Sequence, residues 1–170
     1  MTGSAPGSNL ALFKAIIANH AAVRHLPGYG DLPMPAPSNA FVCETSFNVR
    51  YAETDAMGIV HHASHIIYFE EGRSSYARAR GASYAEFEKT GHFLVVAEVN
   101  ARFIKAARYD QRLTVRTWIA EHKSRGVTFA YEIVDAVTGE LFVTGISKHI
   151  CINREGRPTT LPTAWRAWSG

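Results

Sequence analysis

Apolar and polar positions recur along this chain with two different periods. Between residues 59 and 76 the spacing is three and four, which predicts a helix with one side formed by Ile66, Phe69, Arg73, Tyr76 and Ala77. Elsewhere the spacing is two, which is typical of strands. These predicted strands cover residues 41–51, 95–103, 113–119, 127–133 and 141–152. The predicted order is one strand, a helix and then four strands.

Four consecutive strands with short connections predict an antiparallel sheet, and the long helix must bury its apolar side against one face of it. The helix is expected to end at Gly81, since glycine readily adopts the left-handed conformation beyond a helix terminus. Ser83 and Glu86 form a capping-box pattern, which predicts a second short helix over 84–89. These elements place the domain in the α+β class.

Residues 1–40 are predicted to form an N-terminal extension to a domain over 41–170. Within the extension, residues 9–24 have the apolar spacing of a short amphipathic helix, with Asn9 as its N-cap. Prolines and glycines between residues 27 and 37 indicate an irregular linker. We expect the helix to pack on the outside of the domain or on a neighbouring subunit.

Composition restricts what the molecule binds and where it works. Hydrophobic residues make up 46% of the chain, as in a globular domain. The net charge of +3 is modest and the Lys and Arg residues are scattered, so a small anionic ligand is favoured and no nucleic-acid partner is expected. Cys43 and Cys151 are far apart, which indicates a reduced, cytoplasmic protein. No apolar run approaches the roughly 18 residues of a membrane span, so membrane insertion is not expected.

The acidic loop between the first strand and the helix is the segment most indicative of chemistry. Asp55 stands on a tight turn that ends at Gly58, and the helix N-terminus follows at about residues 61–63. Free backbone N–H groups of His62 and Ala63 at that terminus suit an oxygen that becomes negative. A carboxylate beside such a site indicates acyl transfer or hydrolysis. The alternative is that Asp55 only caps the turn.

Three histidines surround the predicted helix start, and they have two interpretations. His61 and His65 are one helical turn apart, so they could bind a metal ion together with Asp55. The same side chains could instead line a pocket and orient water or substrate. We favour the second interpretation, so no metal site is predicted.

Between residues 51 and 73 an aromatic residue, an acidic pair, a glycine turn and a histidine-rich helix start follow one another. The positions are Tyr51, Glu53-Thr54-Asp55, Gly58-Ile59-Val60, His61-His62-Ala63-Ser64-His65 and Tyr68-Phe69-Glu70. This order resembles the signature of hotdog-fold acyl-CoA thioesterases of the 4-hydroxybenzoyl-CoA thioesterase and Tol-Pal-associated type. The resemblance extends over about residues 41–162. Members of that family often have Tyr at the position of His61 and usually Asn-Tyr in place of Ser64-His65.

The resemblance implies a hotdog fold, in which a five-stranded antiparallel sheet wraps around one long central helix. The extra N-terminal helix predicted from the spacing of residues 9–24 lies outside the resemblance. It implies an acyl-CoA substrate, Asp55 as nucleophile or general base, and the His62 N–H as oxyanion site. No metal or cofactor is implied, because coenzyme A is part of the substrate. An acyl-carrier protein in place of coenzyme A stays open. The resemblance also implies symmetric homodimers or homotetramers with pockets at the dimer interface.

Coenzyme A carries phosphates, and the resemblance places cations for them at two segments. They are Lys123, Ser124 and Arg125 at a hairpin, and Arg154 and Arg157 after the last strand. Some hotdog thioesterases of another subgroup use a glutamate on the helix, so Glu70 is the reserve catalytic candidate. Its other interpretation is an ion pair with Arg73, three residues further along the helix.

The predicted reaction is hydrolysis of an acyl-CoA thioester to a free acid and coenzyme A. Two other functions stay open, because a fold alone does not determine function. The chain could be a non-catalytic acyl-CoA-binding module. It could also be a dehydratase or hydratase of the same fold, in which one of the histidines is the base.

Overall fold

A computed structural model describes residues 36–168 of the chain, all of which lie in the unit Leu32–Gly170. The amphipathic helix predicted over residues 9–24 lies outside the described residues. The elements in chain order are β1 (Cys43–Asn48), a 3-10 turn (Tyr51–Glu53), α1 (His62–Ala79), α2 (Tyr84–Lys89), β2 (His92–Phe103), β3 (Arg112–Lys123), β4 (Gly126–Asp135), β5 (Leu141–Asn153) and α3 (Thr163–Arg166).

The five strands form one antiparallel sheet in the order β1-β3-β4-β5-β2. The consecutive strands β3, β4 and β5 are joined by short hairpins and occupy the centre. β1 pairs with β3, with Cys43 opposite Thr117, and β2 pairs with β5, with Phe103 opposite Val143. β1 and β2 are therefore the two edges. This arrangement confirms the predicted α+β class and the five-stranded antiparallel sheet around a central helix.

The long helix α1 packs across the sheet, and Phe69, Tyr76 and Ala77 are buried there as predicted. Ile66 was expected on the same side, but it is 37% exposed. The buried side of the helix is rotated because Ser64 and Tyr68 are also buried, where both donate hydrogen bonds to Glu53. Polar side chains with internal acceptors can therefore displace an apolar one from the contact face.

The alternating residues from Leu113 to Thr117 in β3 and from Val127 to Ile133 in β4 are buried, and Ile119 is half-buried, whereas the alternating residues Val95, Val99 and Phe103 of β2 are exposed. Val95, Val99 and Phe103 are 39%, 39% and 49% exposed. β2 lies at the edge of the sheet and meets α1 at one end, where Phe103 contacts His65, so most of its alternation does not correspond to a buried face in this chain. Leu94 and Ala101 are the members of β2 that pack against the core.

The ends of the helices follow the local sequence signals. Gly81 has φ +74°, the left-handed conformation expected of a residue beyond a helix terminus. Ser83 accepts from the N–H of Glu86, and the Glu86 carboxylate accepts from the N–H of Ser83, so the predicted capping box is confirmed. The short helix α3 adds Trp165 to the core, a contribution that the strand pattern did not predict.

Candidate active site

The loop that carries Asp55 is closed by backbone hydrogen bonds between its two arms. The N–H of Asp55 donates to the carbonyl of Ile59 at 2.9 Å, and the N–H of His61 donates to the carbonyl of Glu53 at 2.8 Å. Gly58 has φ +69°, which favours glycine at the turn, as predicted. The closure brings Asp55 and the residue that precedes α1 into the same small loop.

The carboxylate of Asp55 is half-buried, and its two oxygens differ in their surroundings. Oδ1 accepts from the N–H of Met57 at 2.8 Å, which is an Asx turn. Oδ2 has no hydrogen-bond partner within residues 36–168. The turn-capping role considered from the sequence is thus present, and it occupies only one of the two carboxylate oxygens.

The N-terminus of α1 presents one open donor. His61 precedes the helix, and its Nδ1 accepts from the N–H of Ala63 at 3.2 Å. The N–H of His62 has no acceptor in the described part of the chain. Of the two predicted oxyanion donors, His62 is therefore available, while Ala63 is already bonded to the imidazole of His61. The positive end of the dipole of an 18-residue helix favours negative charge at this point.

The three histidines at the helix start lie in different environments. His61 and His62 are exposed, with ring centroids 4.1 Å apart. His65 is only 3% exposed, and its Nδ1 has no hydrogen-bond partner among the described residues. Burial lowers the pKa of His65 to about 4, so the ring is neutral at pH 7. Within residues 36–168 no group of three or more His, Cys, Asp or Glu side chains is arranged to hold a metal ion.

Glu53 underlies the loop and was not singled out as a site residue from the sequence. Its carboxylate accepts from the hydroxyl of Tyr68 at 2.8 Å and from the N–H of Arg50 at 2.7 Å. Burial acts to raise the pKa of Glu53, but the hydrogen bonds from Arg50 and Tyr68 hold it below its usual range. No local sequence signal identifies this contact, because Tyr68 lies on the helix fifteen residues further along the chain.

The reserve candidate Glu70 pairs with Arg73 at 3.1 Å, and the guanidinium of Arg73 also lies 3.5 Å from Nδ1 of His149 in β5. The predicted Glu70–Arg73 ion pair is thus confirmed. The side chain of Glu70 is 66% exposed, and that of Arg73 is 13% exposed. Glu70 also lines a cavity of about 410 Å³ together with Glu53 and Tyr68.

The residues expected to hold the nucleotide fall into two groups. Lys123, Ser124 and Arg125 form the β3–β4 hairpin and line a cavity of about 460 Å³, to which Lys148 of β5 also contributes. Arg154 and Arg157 follow β5 and are not among the residues that line it. The side chain of Arg154 lies beside Gly91, and the guanidinium of Arg157 is 3.8 Å from the carboxylate of Glu155.

Comparison with known proteins gives a consistent result. The family described as the thioesterase-like superfamily matches residues 49–169. The protein named "Putative acyl-CoA thioesterase YneP" from Bacillus subtilis is 34% identical over 128 residues, which cover 75% of this chain and 92% of that protein. The DHNA-CoA thioesterase of Staphylococcus aureus is 33% identical, with a TM-score of 0.70 over 75% of this chain and 85% of that chain. A hypothetical protein of Thermus thermophilus, TT1821, is 35% identical, with a TM-score of 0.70 over 74% and 96%.

Proposed function

This chain belongs to the thioesterase-like superfamily, and we propose that it hydrolyses acyl-CoA thioesters to a free acid and coenzyme A. The relatives named above support the reaction class, because YneP and the Staphylococcus aureus protein are both named as thioesterases acting on coenzyme A thioesters. The motif residues 51–73 fall entirely within the matched segment, residues 49–169.

One observation carries the assignment to this site. One carboxylate oxygen of Asp55 and the backbone N–H of His62 lack hydrogen-bond partners among residues 36–168, and they belong to one closed loop and the helix start that it joins. A thioester carbonyl that accepts from the His62 N–H would have its developing negative charge stabilised by that donor and by the helix dipole. The Asp55 carboxylate is the group positioned to provide or activate the nucleophile.

Two routes are compatible with this arrangement. In the first, Oδ2 of Asp55 attacks the thioester carbon, the C–S bond breaks, the thiolate of coenzyme A leaves, and water then hydrolyses the mixed anhydride. In the second, Asp55 takes a proton from a water molecule that attacks the same carbon. In both routes the oxyanion accepts from His62, and Gly58 provides the turn that keeps the loop short.

The neighbouring side chains have supporting roles in this proposal. The exposed ring of His61 or the buried neutral ring of His65 lines the pocket and orients water or substrate. Lys123, Ser124 and Arg125 bind phosphate groups of coenzyme A at the hairpin cavity, where Lys148 adds a further cation. Arg154 and Arg157, which do not line that cavity, remain candidates for further phosphate contacts in this proposal.

The same proposal includes a symmetric homodimer formed through β2. This strand has twelve residues and several exposed apolar side chains, and one of its edges pairs with no other strand among the described residues. An apolar edge of this length is a template for pairing with a second strand, and pairing with its own copy satisfies both edges at once. The ring of Phe103 at the end of β2 contacts His65, so such a dimer brings a second subunit close to the helix start.

The test is thiol release from a panel of aliphatic and aromatic acyl-CoAs and acyl-carrier-protein thioesters by the purified full-length protein. We expect turnover of at least one acyl-CoA. Tight binding of acyl-CoA without thiol release would instead establish a binding module. A change in substrate double bonds without thiol release would establish a dehydratase or hydratase.

A further inference from the structure

The most extensively bonded buried carboxylate near the Asp55 loop is that of Glu53, which is 7% exposed. Its Oε2 accepts from the Tyr68 hydroxyl at 2.8 Å and from the Arg50 N–H at 2.7 Å. Its Oε1 accepts from Nε of Arg50 at 2.9 Å and forms the ion pair with the same guanidinium. These bonds tie the end of the first strand to the second turn of α1.

The backbone carbonyl of the same residue makes the other half of the connection. It accepts from the N–H of His61 at 2.8 Å and from the hydroxyl of Ser64 at 3.2 Å. His61 is the cap of α1, and Ser64 belongs to its first turn. A single residue thus contacts the helix at its cap, its first turn and, through Tyr68, its second turn.

Asp55 is two residues beyond Glu53, and His62 is one residue beyond His61. Any displacement of Glu53 relative to α1 therefore changes the separation between the Asp55 carboxylate and the His62 N–H. We propose that Glu53 is a positioning residue, which fixes the Asp55 loop on the N-terminus of α1 in the geometry that catalysis requires. This inference rests on the proposed function, because it assigns Glu53 a purpose in the same reaction.

Glu53 does not act on the substrate in this proposal. Both carboxylate oxygens are already bonded to protein donors. Its effect is transmitted through the loop, and misplacement of catalytic groups by about 1 Å can cost about 100-fold in rate. Loss of the anchor should therefore reduce kcat, while KM, which reflects the acyl and nucleotide contacts, should change little.

The experiment compares Glu53→Gln with the wild type in the full-length protein. Glutamine has about the same size as glutamate, but it lacks the negative charge that pairs with Arg50. Its amide NH₂ would also face hydrogen-bond donors of Arg50 or Tyr68, where the carboxylate oxygen now accepts. We expect kcat for the best acyl-CoA to fall by about 10- to 100-fold with KM within about threefold. Hydrogen exchange in residues 54–62 should become faster, because the anchor of the loop on the helix is lost.

Two further variants separate positioning from general stability. Glu132→Gln makes the same change at another carboxylate paired with an arginine, Arg116 on β3, and it should leave kcat and exchange in residues 54–62 unchanged. Tyr68→Phe removes one of the bonds to Glu53 and should lower kcat by a smaller factor. The double variant Glu53→Gln with Tyr68→Phe should lose less than the product of the single effects.

The outcomes distinguish this inference from the function on which it rests. A folded Glu53→Gln protein with wild-type kcat and unchanged exchange would overturn the positioning role and leave the thioesterase assignment intact. Equal losses of kcat in Glu53→Gln and Glu132→Gln would also overturn it, since the effect would then be one of stability. A wild type without turnover on any thioester would overturn the proposed function, and with it the catalytic purpose of Glu53.

Discussion

Two buried histidines, His65 in α1 and His149 in β5, couple folding to proton binding. Burial lowers the pKa of His65 to about 4, and burial together with the charge of Arg73 lowers the pKa of His149 to about 3. In the unfolded chain both rings bind protons near the ordinary value of about 6.5. The contribution of the two neutral rings to the free energy of unfolding is therefore fully present above pH 6.5, and it decreases as the pH falls from there toward the pKa values of the folded state.

We predict that, when the pH is lowered from 7 to 5, each of these histidines reduces the free energy of unfolding by about 2 kcal/mol. Urea unfolding at pH 7, 6 and 5 measures this dependence. His149→Gln should be less stable at pH 7, because the ring accepts or donates to Ser147 at 2.7 Å, and about 2 kcal/mol of the acid-dependent decrease should disappear. A decrease of the same size in wild type and variant would contradict the assignment to His149.

At the scale of single residues, the sequence predicted those site residues that are marked by turn and helix-capping preferences of neighbouring positions. Asp55, Gly58 and the helix start at His62 lie within eight residues, and turn and capping preferences act over that distance. The contact between Glu53 and Tyr68 depends on how the loop folds back on α1, so no short-range pattern contains it. The same limit applies to the Ala63 N–H, which the side chain of His61 occupies.

The contact between α1 and β3 depends on a glycine. A Cβ atom at Gly72 would lie 2.4 Å from Oγ1 of Thr117 and 2.8 Å from Cγ1 of Val115, closer than such contacts allow. Both partner side chains belong to a central strand and are fully buried. The helix thus approaches the sheet at this point more closely than any side chain would permit.

We predict that Gly72→Ala lowers the free energy of unfolding by about 1–2 kcal/mol, because the overlap outweighs the higher helix propensity of alanine. Ser74→Ala, two residues along the same helix and partly exposed, is the matched control and should change stability by less than about 0.5 kcal/mol. Urea unfolding at pH 7 measures both. Gly72→Ala as stable as the control would contradict the close approach.

At the scale of elements, the spacing of apolar residues predicted the long helix and the strands. Capping residues predicted the end of α1 and the position of α2. The burial of individual residues was predicted less well than the elements, because the apolar spacing shows which residues share one side of a helix or strand but not what packs against that side. β2 illustrates this limit: its alternation is regular, yet Val95 and Val99 remain exposed at the edge of the sheet. Ile66 on α1 was misassigned for a related reason, since buried polar groups rotated the contact face.

For the whole molecule, the exposed edge of β2 predicts an oligomer. We expect the wild type to sediment as a dimer or tetramer. Val96→Lys should shift this equilibrium toward the monomer and lower kcat/KM, because a charge is costly to bury between the paired β2 strands. Val96 is 50% exposed in the isolated chain. Sedimentation velocity and thiol release on the same samples measure both effects.

Val137→Lys is the control for that variant, because Val137 is an exposed valine in the β4–β5 turn and not in β2. It should leave the association state and turnover unchanged. A wild type that sediments as an active monomer would contradict the role of β2. The strand order β1-β3-β4-β5-β2, on which this prediction depends, is observed in the structure, and the alternation of the strands does not specify it.

The structure describes no helix within residues 36–168 with the length and hydrophobicity needed to cross a bilayer. The chemical role in the proposed function belongs to the carboxylate of Asp55, in the loop that precedes α1. Asparagine at this position retains the Oδ1 acceptor for the Met57 N–H, so the turn should persist while the charge is lost. That substitution isolates the chemical role of the carboxylate from its structural role.

The most direct test is the rate of thiol release by Asp55→Asn compared with Asp110→Asn. Asp110 is an exposed loop aspartate with φ +62°, a conformation that asparagine also adopts readily. We predict that Asp55→Asn loses at least about 100-fold in kcat while remaining folded, and that Asp110→Asn retains wild-type turnover. Near-normal kcat in a folded Asp55→Asn protein would contradict the account.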